Sequence, residues 1–273
     1  MIRIAVAGVA GRMGRALVSA VQAQSTTHGG LALTHAFERP GHDAIGLNTS
    51  VLIGDAGPGV TVVDHISGGD FDVLIDFTSP QSSLSNLEYC AANGLRAVIG
   101  TTGFDADQRE SIQSLSRQTG VVWAPNMSVG VNVTLKLLEV AAKAFGDTAD
   151  IEVIEAHHRH KVDAPSGTAL KMGEVVADAL DRSLEKHGVF ARHGAVGPRS
   201  DSEIGFSTIR AADVVGEHSV WFAVAGERVE ITHKASSREI YANGAVRSAI
   251  WVHEKTSGLF DMQDVLGFRA HNN

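Results

Sequence analysis

The amino-acid sequence predicts an α/β protein with two domains, and three features of the chain support this prediction. A short apolar run at residues 2–7 leads directly into a glycine-rich turn. Apolar runs then alternate with helical patterns as far as about residue 127, which is typical of a parallel sheet covered by helices. Beyond residue 145, strand-like runs follow one another with few helices between them. We therefore expect an N-terminal Rossmann-like doubly wound parallel sheet and a C-terminal α+β domain with a mixed, mostly antiparallel sheet.

Length, composition and charge limit the kinds of protein that this chain can form. The chain has 273 residues, 44% hydrophobic and 20% charged, so it is long enough to bury a core in each of two domains. Its 31 acidic residues outnumber its 23 basic ones and give a formal net charge of -8. Because nucleic-acid binding depends on positive charge, we expect no nucleic-acid partner.

Three observations bear on the compartment in which the protein works. No apolar run approaches the ~20 residues that a membrane-spanning helix needs, so we expect no membrane partner. The opening residues M-I-R-I-A-V-A-G are interrupted too soon by glycine for a signal peptide. The single cysteine, Cys90, has no second cysteine to pair with, and its helical setting is typical of a packed side chain rather than a reactive thiol. We therefore expect a cytoplasmic protein.

The glycine-rich turn G-V-A-G-R-M-G, with glycines at 8, 11 and 14, predicts a dinucleotide-binding loop. It follows the first predicted strand and precedes a helical pattern. Glycine lets the backbone turn tightly and approach a pyrophosphate, and the N-terminus of the helix attracts the negative charge. The commonest form of this motif is G-x-G-x-x-G, and here Ala10 occupies the place of the middle glycine. Arg12 adds a positive charge to the loop.

The second predicted strand, residues 31–37, is followed by an acidic and a basic residue. Glu38 lies 24 residues after Gly14, near the place where dinucleotide-binding folds carry the carboxylate that binds the adenosine ribose of NAD. Arg39 either binds the 2′-phosphate of NADP or is an ordinary solvated side chain. The sequence therefore predicts NADH or NADPH as cofactor without choosing between them.

Three further predicted strands, at residues 71–77, 96–99 and 121–124, alternate with helical patterns. In an open parallel sheet, ligands bind beyond the carboxyl ends of the strands. The residues that end or follow these strands are therefore candidates for cofactor contact. They are Phe77, Thr78, Gly100, Thr101, Thr102, Ala124, Pro125, Asn126 and Met127.

From residue 128 the pattern changes to a long helix followed by strand-like runs. Ile151, Val153 and Ala156 are the expected apolar contacts of the first of these strands. A hairpin loop at residues 225–227 joins the last two.

These patterns suggest where the domains begin and end. We expect residues 1–128 to form a dinucleotide-binding domain and residues 129–241 to form a substrate-binding and oligomerisation domain. Residues 242–273, which open with a helical pattern, are expected to return to the first domain.

The stretch E-A-H-H-R-H-K-V-D-A-P-S-G-T-A, residues 155–169, combines two kinds of chemistry. Three histidines, one arginine and one lysine occupy residues 157–161, and imidazoles and amines transfer protons near neutral pH. Ser166 is a good helix N-cap, and the backbone N–H groups of Gly167 and Thr168 would point at an anion. The stretch predicts a site for a substrate that carries carboxylates and is protonated during the reaction.

Two other interpretations of the histidine cluster stay open at this point. His158 and His160 are two residues apart and imidazole is a good zinc ligand, but no cysteine accompanies them and neighbouring positive charges oppose a cation. We therefore expect no metal site. The histidines would alternatively belong to a buried hydrogen-bond network or a solvated basic loop.

At these residues the sequence resembles the dihydrodipicolinate reductase (4-hydroxy-tetrahydrodipicolinate reductase) family of bacterial lysine and diaminopimelate biosynthesis. The resemblance extends over essentially the whole chain. Besides the 155–169 stretch, its motifs are A-G-V-A-G-R-M-G at 7–14, D-F-T at 76–78, I-G-T-T-G-F at 99–104, S-V-G-V-N-V at 128–133, V-G-E-H at 215–218, I-T-H-K-A-S-S-R at 231–238 and G-L-F-D-M at 258–262.

The resemblance implies NAD(P)H-dependent reduction of a cyclic imine dicarboxylate by a homotetramer. It implies that His157 and Lys161 form the proton-transfer pair, with Lys161 as the expected donor. The candidate substrate-binding residues are His158, Ser166, Gly167 and Thr168. The candidate cofactor-binding residues are Gly8, Val9, Ala10, Gly11, Arg12, Met13, Glu38, Arg39, Gly100, Thr101, Thr102, Ala124, Pro125, Asn126 and Met127.

Two other functions fit the same two-domain plan. One is a non-catalytic NAD(P)-sensing regulator, although a sensor has no need of a proton donor at Lys161. The other is a different two-domain dehydrogenase that acts on another small carboxylate. The doubled histidine and the P-S-G-T helix start argue against the second without excluding it.

Overall fold

The computed structural model describes residues 1–28, 30–55, 57–66 and 70–269. Within these ranges, no helix combines the length and the apolar character that crossing a membrane requires.

The chain divides into two compact units. The first unit is Met1–Val129 with Glu239–Asn273, and the second unit is Gly130–Arg238. The strands are β1 (Ile2–Ala7), β2 (Leu31–Phe37), β3 (Val62–Val63), β4 (Val73–Asp76), β5 (Arg96–Ile99), β6 (Gly120–Trp123), β7 (Asp150–His157), β8 (Gly188–Val189), β9 (Ile204–Arg210), β10 (Gly216–Val224), β11 (Glu227–Ala235) and β12 (Gly258–Phe260). The helices are α1 (Arg12–His28), α2 (Thr49–Ile53), α3 (Pro80–Ala92), α4 (Ala106–Leu115), α5 (Val129–Phe145), α6 (Gly167–Ala179), α7 (Leu184–His187), α8 (Glu239–His253) and α9 (Met262–Val265).

The described part of the first unit contains a parallel sheet with strand order β12-β6-β5-β4-β1-β2-β3. Each pair of neighbouring strands is parallel. The chain adds strands on one side of β1 as far as β3 and then, from β4, on the other side. A ligand-binding crevice forms where the order reverses in this way, beyond the carboxyl ends of the strands. The predicted doubly wound parallel sheet is confirmed.

Alternate residues of β1 pack on opposite faces of this sheet, which explains why the strand is an uninterrupted apolar run. Ile4 and Val6 belong to the core that includes residues of α1 and α8. Ala5 and Ala7 pack on the other face, in a cluster that includes Cys90 of α3. Burial raises the pKa of the Cys90 thiol, so this cysteine is a packed core residue, as the sequence predicted.

The second unit contains a mixed sheet with strand order β11-β10-β7-β9-β8. Strand β10 is antiparallel to both β7 and β11, whereas β9 is parallel to β7 and β8. The hairpin between β10 and β11 has a two-residue loop, because Val224 pairs with Glu227. Gly226 in this loop has φ +94°, a conformation that favours glycine. The predicted mixed, mostly antiparallel sheet is confirmed.

Strand β7 buries every second residue, and this alternation corrects one expectation from the sequence. Ile151 and Val153 pack in the core with residues of α5 and α6. Ala156 was expected to join them, but it lies half-buried on the opposite face. A strand has a period of two, so the buried face continues instead with Glu155 and His157.

Candidate functional site

The glycine loop of the first unit has a shape that side chains would block. Gly8 has φ +65°, and a Cβ there would lie 2.8 Å from Cγ2 of Thr78. A Cβ on Gly14 would lie 2.1 Å from the carbonyl oxygen of Gly8, so glycine is needed for α1 to begin this close to the loop. The backbone N–H of Gly8 donates to the carbonyl of Phe37 at 2.8 Å and fixes the loop beside the end of β2. The cradle therefore fits a pyrophosphate at the N-terminus of α1.

Glu38 lies against this glycine loop. One of its carboxylate oxygens accepts from the backbone N–H of Ala10 at 3.1 Å, and the other accepts from the backbone N–H of Arg39 at 3.0 Å. The side chain of Arg39 is exposed and adds a positive charge next to the carboxylate. Both predicted selectivity residues therefore lie beside the loop that would hold the cofactor phosphates.

The other predicted cofactor residues follow β5 and β6, whose carboxyl ends lie at the same edge of the sheet as the glycine loop. Thr102 and Pro125 are exposed, and the half-buried Asn126 accepts from the backbone N–H of Ser128 at 2.9 Å. Three predicted residues are buried and support the edge from within, namely Thr101, Ala124 and Met127. In the glycine loop itself, Gly11 and Arg12 are exposed, Val9 is buried, and Gly8, Ala10 and Met13 are half-buried.

A buried carboxylate to which the sequence analysis gave no role lies behind these strand ends. Asp76, the last residue of β4, accepts from the backbone N–H and the hydroxyl of Thr78 at 2.8 and 2.6 Å. It also accepts from the hydroxyl of Ser83 at 3.0 Å and from the side-chain amide of Asn86 at 2.8 Å. The Ser83 hydroxyl lies 2.7 Å from that of Thr101. The network therefore ties the turn after β5 to the end of β4.

In the second unit, four buried polar side chains meet near the end of β7. Nδ1 of His157 lies 2.6 Å from Oε2 of Glu155, and the two residues are 9% and 1% exposed. His218 of β10 packs edge-on against His157, with ring centroids 5.0 Å apart, and its Nε2 lies 2.9 Å from the hydroxyl of Ser166. Burial, followed by the charge of His157, lowers the pKa of His218 to about 4, so this imidazole is neutral near pH 7.

Glu155 joins three parts of the second unit. Arg210, at the end of β9, donates from Nη1 to Oε2 and from Nη2 to Oε1, each at 2.8 Å. The backbone N–H of Ser166 donates to Oε1 at 3.1 Å. Burial opposes ionisation, but hydrogen bonds from Arg210 and His157 outweigh it and hold the pKa of the Glu155 carboxyl below its ordinary value. Glu155 is therefore a buried, ionised carboxylate.

Lys161, the predicted proton donor, lies in the turn after β7. Nζ of Lys161 lies 2.8 Å from Oδ1 of Asp163, and the backbone N–H of Lys161 donates to the carbonyl of His158 at 3.1 Å. The hydrogen bond from Lys161 lowers the pKa of the Asp163 carboxyl. The lysine side chain is only 19% exposed, so it packs against the protein rather than extending into solvent.

His158 is a predicted substrate-binding residue with a buried polar atom that lacks a hydrogen bond within the described part of the chain. Its Nδ1 is buried and has no hydrogen-bond partner among the residues that the structure describes. Burial and the positive charge of Arg238 lower the pKa of His158, and His160, His157 and Lys161 act in the same direction. A buried ring nitrogen without a partner, surrounded by positive charge, fits an anionic ligand.

Helix α6 begins where the sequence predicted. The Ser166 hydroxyl accepts from the backbone N–H of Ala169 at 3.2 Å, which makes Ser166 the N-cap. Ser166 itself is buried, and its hydroxyl is also engaged with His218. Gly167 is exposed and faces open space, since a Cβ there would meet nothing within 4 Å. The helix therefore presents its N-terminus to solvent at Gly167, whereas Thr168 is half-buried.

The described residues of this region do not form a group that could hold a metal ion. Across the described ranges, no group of three or more histidine, cysteine, aspartate or glutamate side chains is arranged to hold a metal ion. The rings of His158 and His160 have centroids 6.3 Å apart. Positive neighbours, rather than carboxylates, surround His158.

The sequence analysis gave no role to four residues that the structure brings into this region, namely Glu155, Arg210, His218 and Arg238. The burial of Glu155 could be predicted from the sequence, because every second residue of β7 is buried and this alternation includes residue 155. Arg210 lies 55 residues along the chain from Glu155, and His218 lies 52 residues from Ser166. No local pattern reveals such pairings, because they depend on which strands are neighbours in the sheet.

Both halves of the chain match models of one protein family. The model described as Dihydrodipicolinate reductase, N-terminus, matches residues 2–127. The model described as Dihydrodipicolinate reductase, C-terminus, matches residues 130–266. The two matched segments together cover nearly all of the chain.

Whole-chain comparisons agree with these matches. A curated 4-hydroxy-tetrahydrodipicolinate reductase of Methylococcus capsulatus is 55% identical over 272 residues, which cover 99% of this chain and 100% of the relative. The protein of the same name from Chromohalobacter salexigens is 56% identical over 275 residues, with the same coverage. The solved structure of dipicolinate-bound dihydrodipicolinate reductase from Paenisporosarcina sp. TG-14 is similar with a TM-score of 0.75 at 26% identity, covering 97% of this chain and 98% of that chain. The chain therefore belongs to the dihydrodipicolinate reductase family and is an oxidoreductase.

Proposed function

We propose that the protein reduces 4-hydroxy-tetrahydrodipicolinate, a cyclic imine with two carboxylates, to tetrahydrodipicolinate, with NADH or NADPH as reductant. One observation supports this proposal most strongly. Groups suited to proton transfer, His157 and Lys161, occupy the same short stretch of chain as groups suited to carboxylate binding, His158 and the start of α6. Because the product lacks the 4-hydroxyl group of the substrate, water also leaves in the overall reaction.

The substrate carboxylates bind at the start of α6 and beside His158. Backbone N–H groups at Gly167 and Thr168 face a carboxylate at the positive end of the helix dipole. The hydroxyl of Ser166 contributes by capping the helix, since its contacts to Ala169 and His218 already engage it. Binding at these points orients the ring, which contributes positioning rather than proton transfer.

Lys161 donates the proton that completes the reduction. Loss of the 4-hydroxyl group as water creates a C=C bond conjugated with the C=N bond, and the nicotinamide cofactor, when bound, would supply a hydride to the far carbon of that system. Negative charge then builds on the nitrogen side of the ring, and a nearby acid must neutralise it. The contact with Asp163 restrains the amine of Lys161 near the turn. His157 is the second member of the pair and sets the charge and proton position beside the lysine.

The first unit binds the cofactor. The glycine loop fits the pyrophosphate, and the Glu38 carboxylate beside Ala10 is suited to the ribose hydroxyls of NADH. The exposed Arg39 is suited to the 2′-phosphate of NADPH. We therefore expect turnover with both cofactors.

The outer face of the second unit's sheet supports self-association, and we propose a homotetramer. Ile154 and Trp221 are half-buried on this face, and Ile209 is 49% exposed there. Large apolar side chains on a sheet face, here beside polar ones such as Glu152 and Ser219, favour an interface between copies of a chain. Sedimentation equilibrium should give the mass of four chains, whereas a monomer at micromolar concentration would contradict the tetramer. We also propose a cytoplasmic location, because Cys90 has no disulfide partner in the sequence.

A coupled assay tests the proposed reaction. The cyclic imine is generated in place from pyruvate and aspartate semialdehyde by the preceding synthase, and the absorbance of NADH or NADPH is followed after this protein is added. We expect rapid loss of absorbance with either cofactor, and the ratio of the two rates gives the preference. Tight binding of both cofactors without oxidation would contradict the proposal and favour a sensor or an enzyme of another substrate.

A further inference from the structure

We propose that Glu155 is a positioning residue for the reaction: its carboxylate holds His157 in the tautomer protonated on Nδ1 and anchors the start of α6. The inference rests on the proposed function, in which His157 takes part in proton transfer and α6 binds carboxylates. Glu155 itself lies under these groups and is almost inaccessible to solvent. It therefore acts through His157 and the helix rather than by touching the substrate.

The hydrogen bonds of Glu155 determine which nitrogen of the His157 imidazole carries a proton. Oε1 of Glu155 accepts from the backbone N–H of Ser166 and from Arg210, while Oε2 accepts from Arg210 and faces Nδ1 of His157. Guanidinium and backbone N–H groups only donate, so they require the oxygens as acceptors. An ionised carboxylate has no proton to offer, and Nδ1 must therefore carry one. The neutral form of His157 then has its lone pair on Nε2.

Because the site is buried, the His157 tautomer protonated on Nδ1 is strongly favoured over the one protonated on Nε2. The Nδ1 to Oε2 distance is 2.6 Å, and Glu155 is 1% exposed. If the proton moved to Nε2, two lone pairs would face each other at this distance without water to separate them. Such an arrangement is costly in a buried environment.

The same carboxylate is linked to the turn that carries the lysine. Nη2 of Arg210 donates to the backbone carbonyl of Asp163 at 2.6 Å, while it also holds Glu155. The carboxylate of Asp163 in turn contacts Nζ of Lys161 at 2.8 Å. Glu155 therefore supports the imidazole, the helix start and the lysine turn together. The charged and titratable groups around it are His157, Lys161, Asp163, Arg210 and His218.

Nitrogen NMR of histidine-labelled protein reads the tautomer without any substrate. We expect the wild-type His157 ring, assigned from its absence in His157→Gln, to show Nδ1 protonated in its neutral form. In Glu155→Gln the side-chain amide would donate towards Nδ1, so the ring should change to the tautomer protonated on Nε2. A wild-type ring protonated on Nε2 would overturn the inference, even if Glu155→Gln failed to fold.

Kinetics of folded Glu155→Gln provide the second readout. We expect kcat to fall about 100-fold, as for other buried partners that orient a functional histidine, while the Kd of NADH changes less than about twofold. Glu174→Gln is the matched control, because Glu174 is an exposed residue of α6 paired with Lys171, and it should keep wild-type kcat. Unchanged kcat together with an unchanged tautomer in Glu155→Gln would also overturn the inference. Inactivity of the wild type in the coupled assay would contradict the proposed function alone, because the NMR result does not depend on substrate.

Discussion

Two buried carboxylates, one in each unit, show how differently the same chemical group serves the two halves of the molecule. Asp76 ends β4, and Glu155 lies near the end of β7; the two residues are 0% and 1% exposed. Asp76 accepts from a backbone N–H, two hydroxyls and an amide, all of them neutral donors. Glu155 accepts from a guanidinium, an imidazole and a backbone N–H.

Because their hydrogen-bond donors differ, the carboxylates of Asp76 and Glu155 have different effects on the groups around them. The donors around Asp76 do not change charge near neutral pH, and their hydrogen bonds to this carboxylate hold the edge of the first sheet. Glu155 contacts an imidazole, which has two neutral tautomers, so its negative charge also favours one position of the proton. This contrast agrees with the proposal that the first unit binds the cofactor and that the second unit binds the substrate and transfers a proton. Four predictions test this comparison.

The largest expected effect is on turnover in the second unit. Lys161→Ala should lower kcat about 1000-fold, because the developing charge would lose its acid. The Kd of NADH, measured by fluorescence titration, should change less than about twofold, since the cofactor loop belongs to the first unit. Lys171→Ala, at an exposed position on α6, is the control and should turn over normally. Near-normal turnover of Lys161→Ala would show that this lysine is not the donor.

Removal of the first-unit carboxylate should affect stability instead. Asp76→Ala would leave the donors of Thr78, Ser83 and Asn86 without their acceptor, and we expect a loss of about 4 kcal/mol in the free energy of unfolding. Asp70→Ala is the control, because its ion pair with Arg3 is exposed and should contribute less than about 0.5 kcal/mol. Urea denaturation measures both variants. A loss below about 1 kcal/mol in Asp76→Ala would contradict a structural role for the network.

The second unit should also lose stability on mild acidification. The pKa of His218 is about 4 in the folded protein against an ordinary value of 6.5, so the unfolded chain binds more protons between these values. The free energy of unfolding therefore falls as pH decreases from 6.5 to 4, by about 3 kcal/mol from this group. His158 and His233, whose pKa values are also lowered, act in the same direction.

Urea denaturation at several pH values isolates the part that His218 contributes. His218→Gln should remove most of its share of the acid destabilisation, with exposed His193→Gln as the control. An identical pH dependence in wild type and His218→Gln would show that His218 does not remain neutral in the folded state.

The smallest expected effect concerns cofactor choice in the first unit. Arg39→Ala should raise the KM for NADPH about tenfold, because a charge-assisted contact to the 2′-phosphate is lost. The KM for NADH should stay within about twofold, since Glu38 and the glycine loop are unchanged. Equal effects on both cofactors would assign Arg39 a general role in the loop rather than recognition of the 2′-phosphate.

Local patterns were enough to predict much of this molecule. The glycine loop, the apolar run of β1 and the Ser166 cap each carry their signal within a few neighbouring residues. The two-residue β3 and the three-residue β12 carried no such signal, because pairing with β2 and β6 makes them strands. Ala156, which the sequence groups with the apolar contacts of Ile151 and Val153, lies on the opposite face because the side chains of a strand alternate.

The candidate site was predicted to the extent that it is contiguous in sequence. The 155–169 stretch identified the histidines, the lysine and the helix start, whose roles stay proposals. The buried carboxylate network escaped prediction because Arg210 and His218 reach it from other strands. Asp76 escaped for a similar reason, since its acceptor role depends on α3 packing against the end of β4.

The most direct test of the proposed reduction traces the hydrogen that is transferred from NADH to the substrate. The coupled reaction is run with NADH carrying deuterium at the transferred position of the nicotinamide, and the tetrahydrodipicolinate product is analysed by mass spectrometry. We predict product that contains one deuterium per molecule, formed in step with NADH oxidation. Oxidation of NADH with no deuterium in the dicarboxylate, or no product at all, would contradict the reductase function.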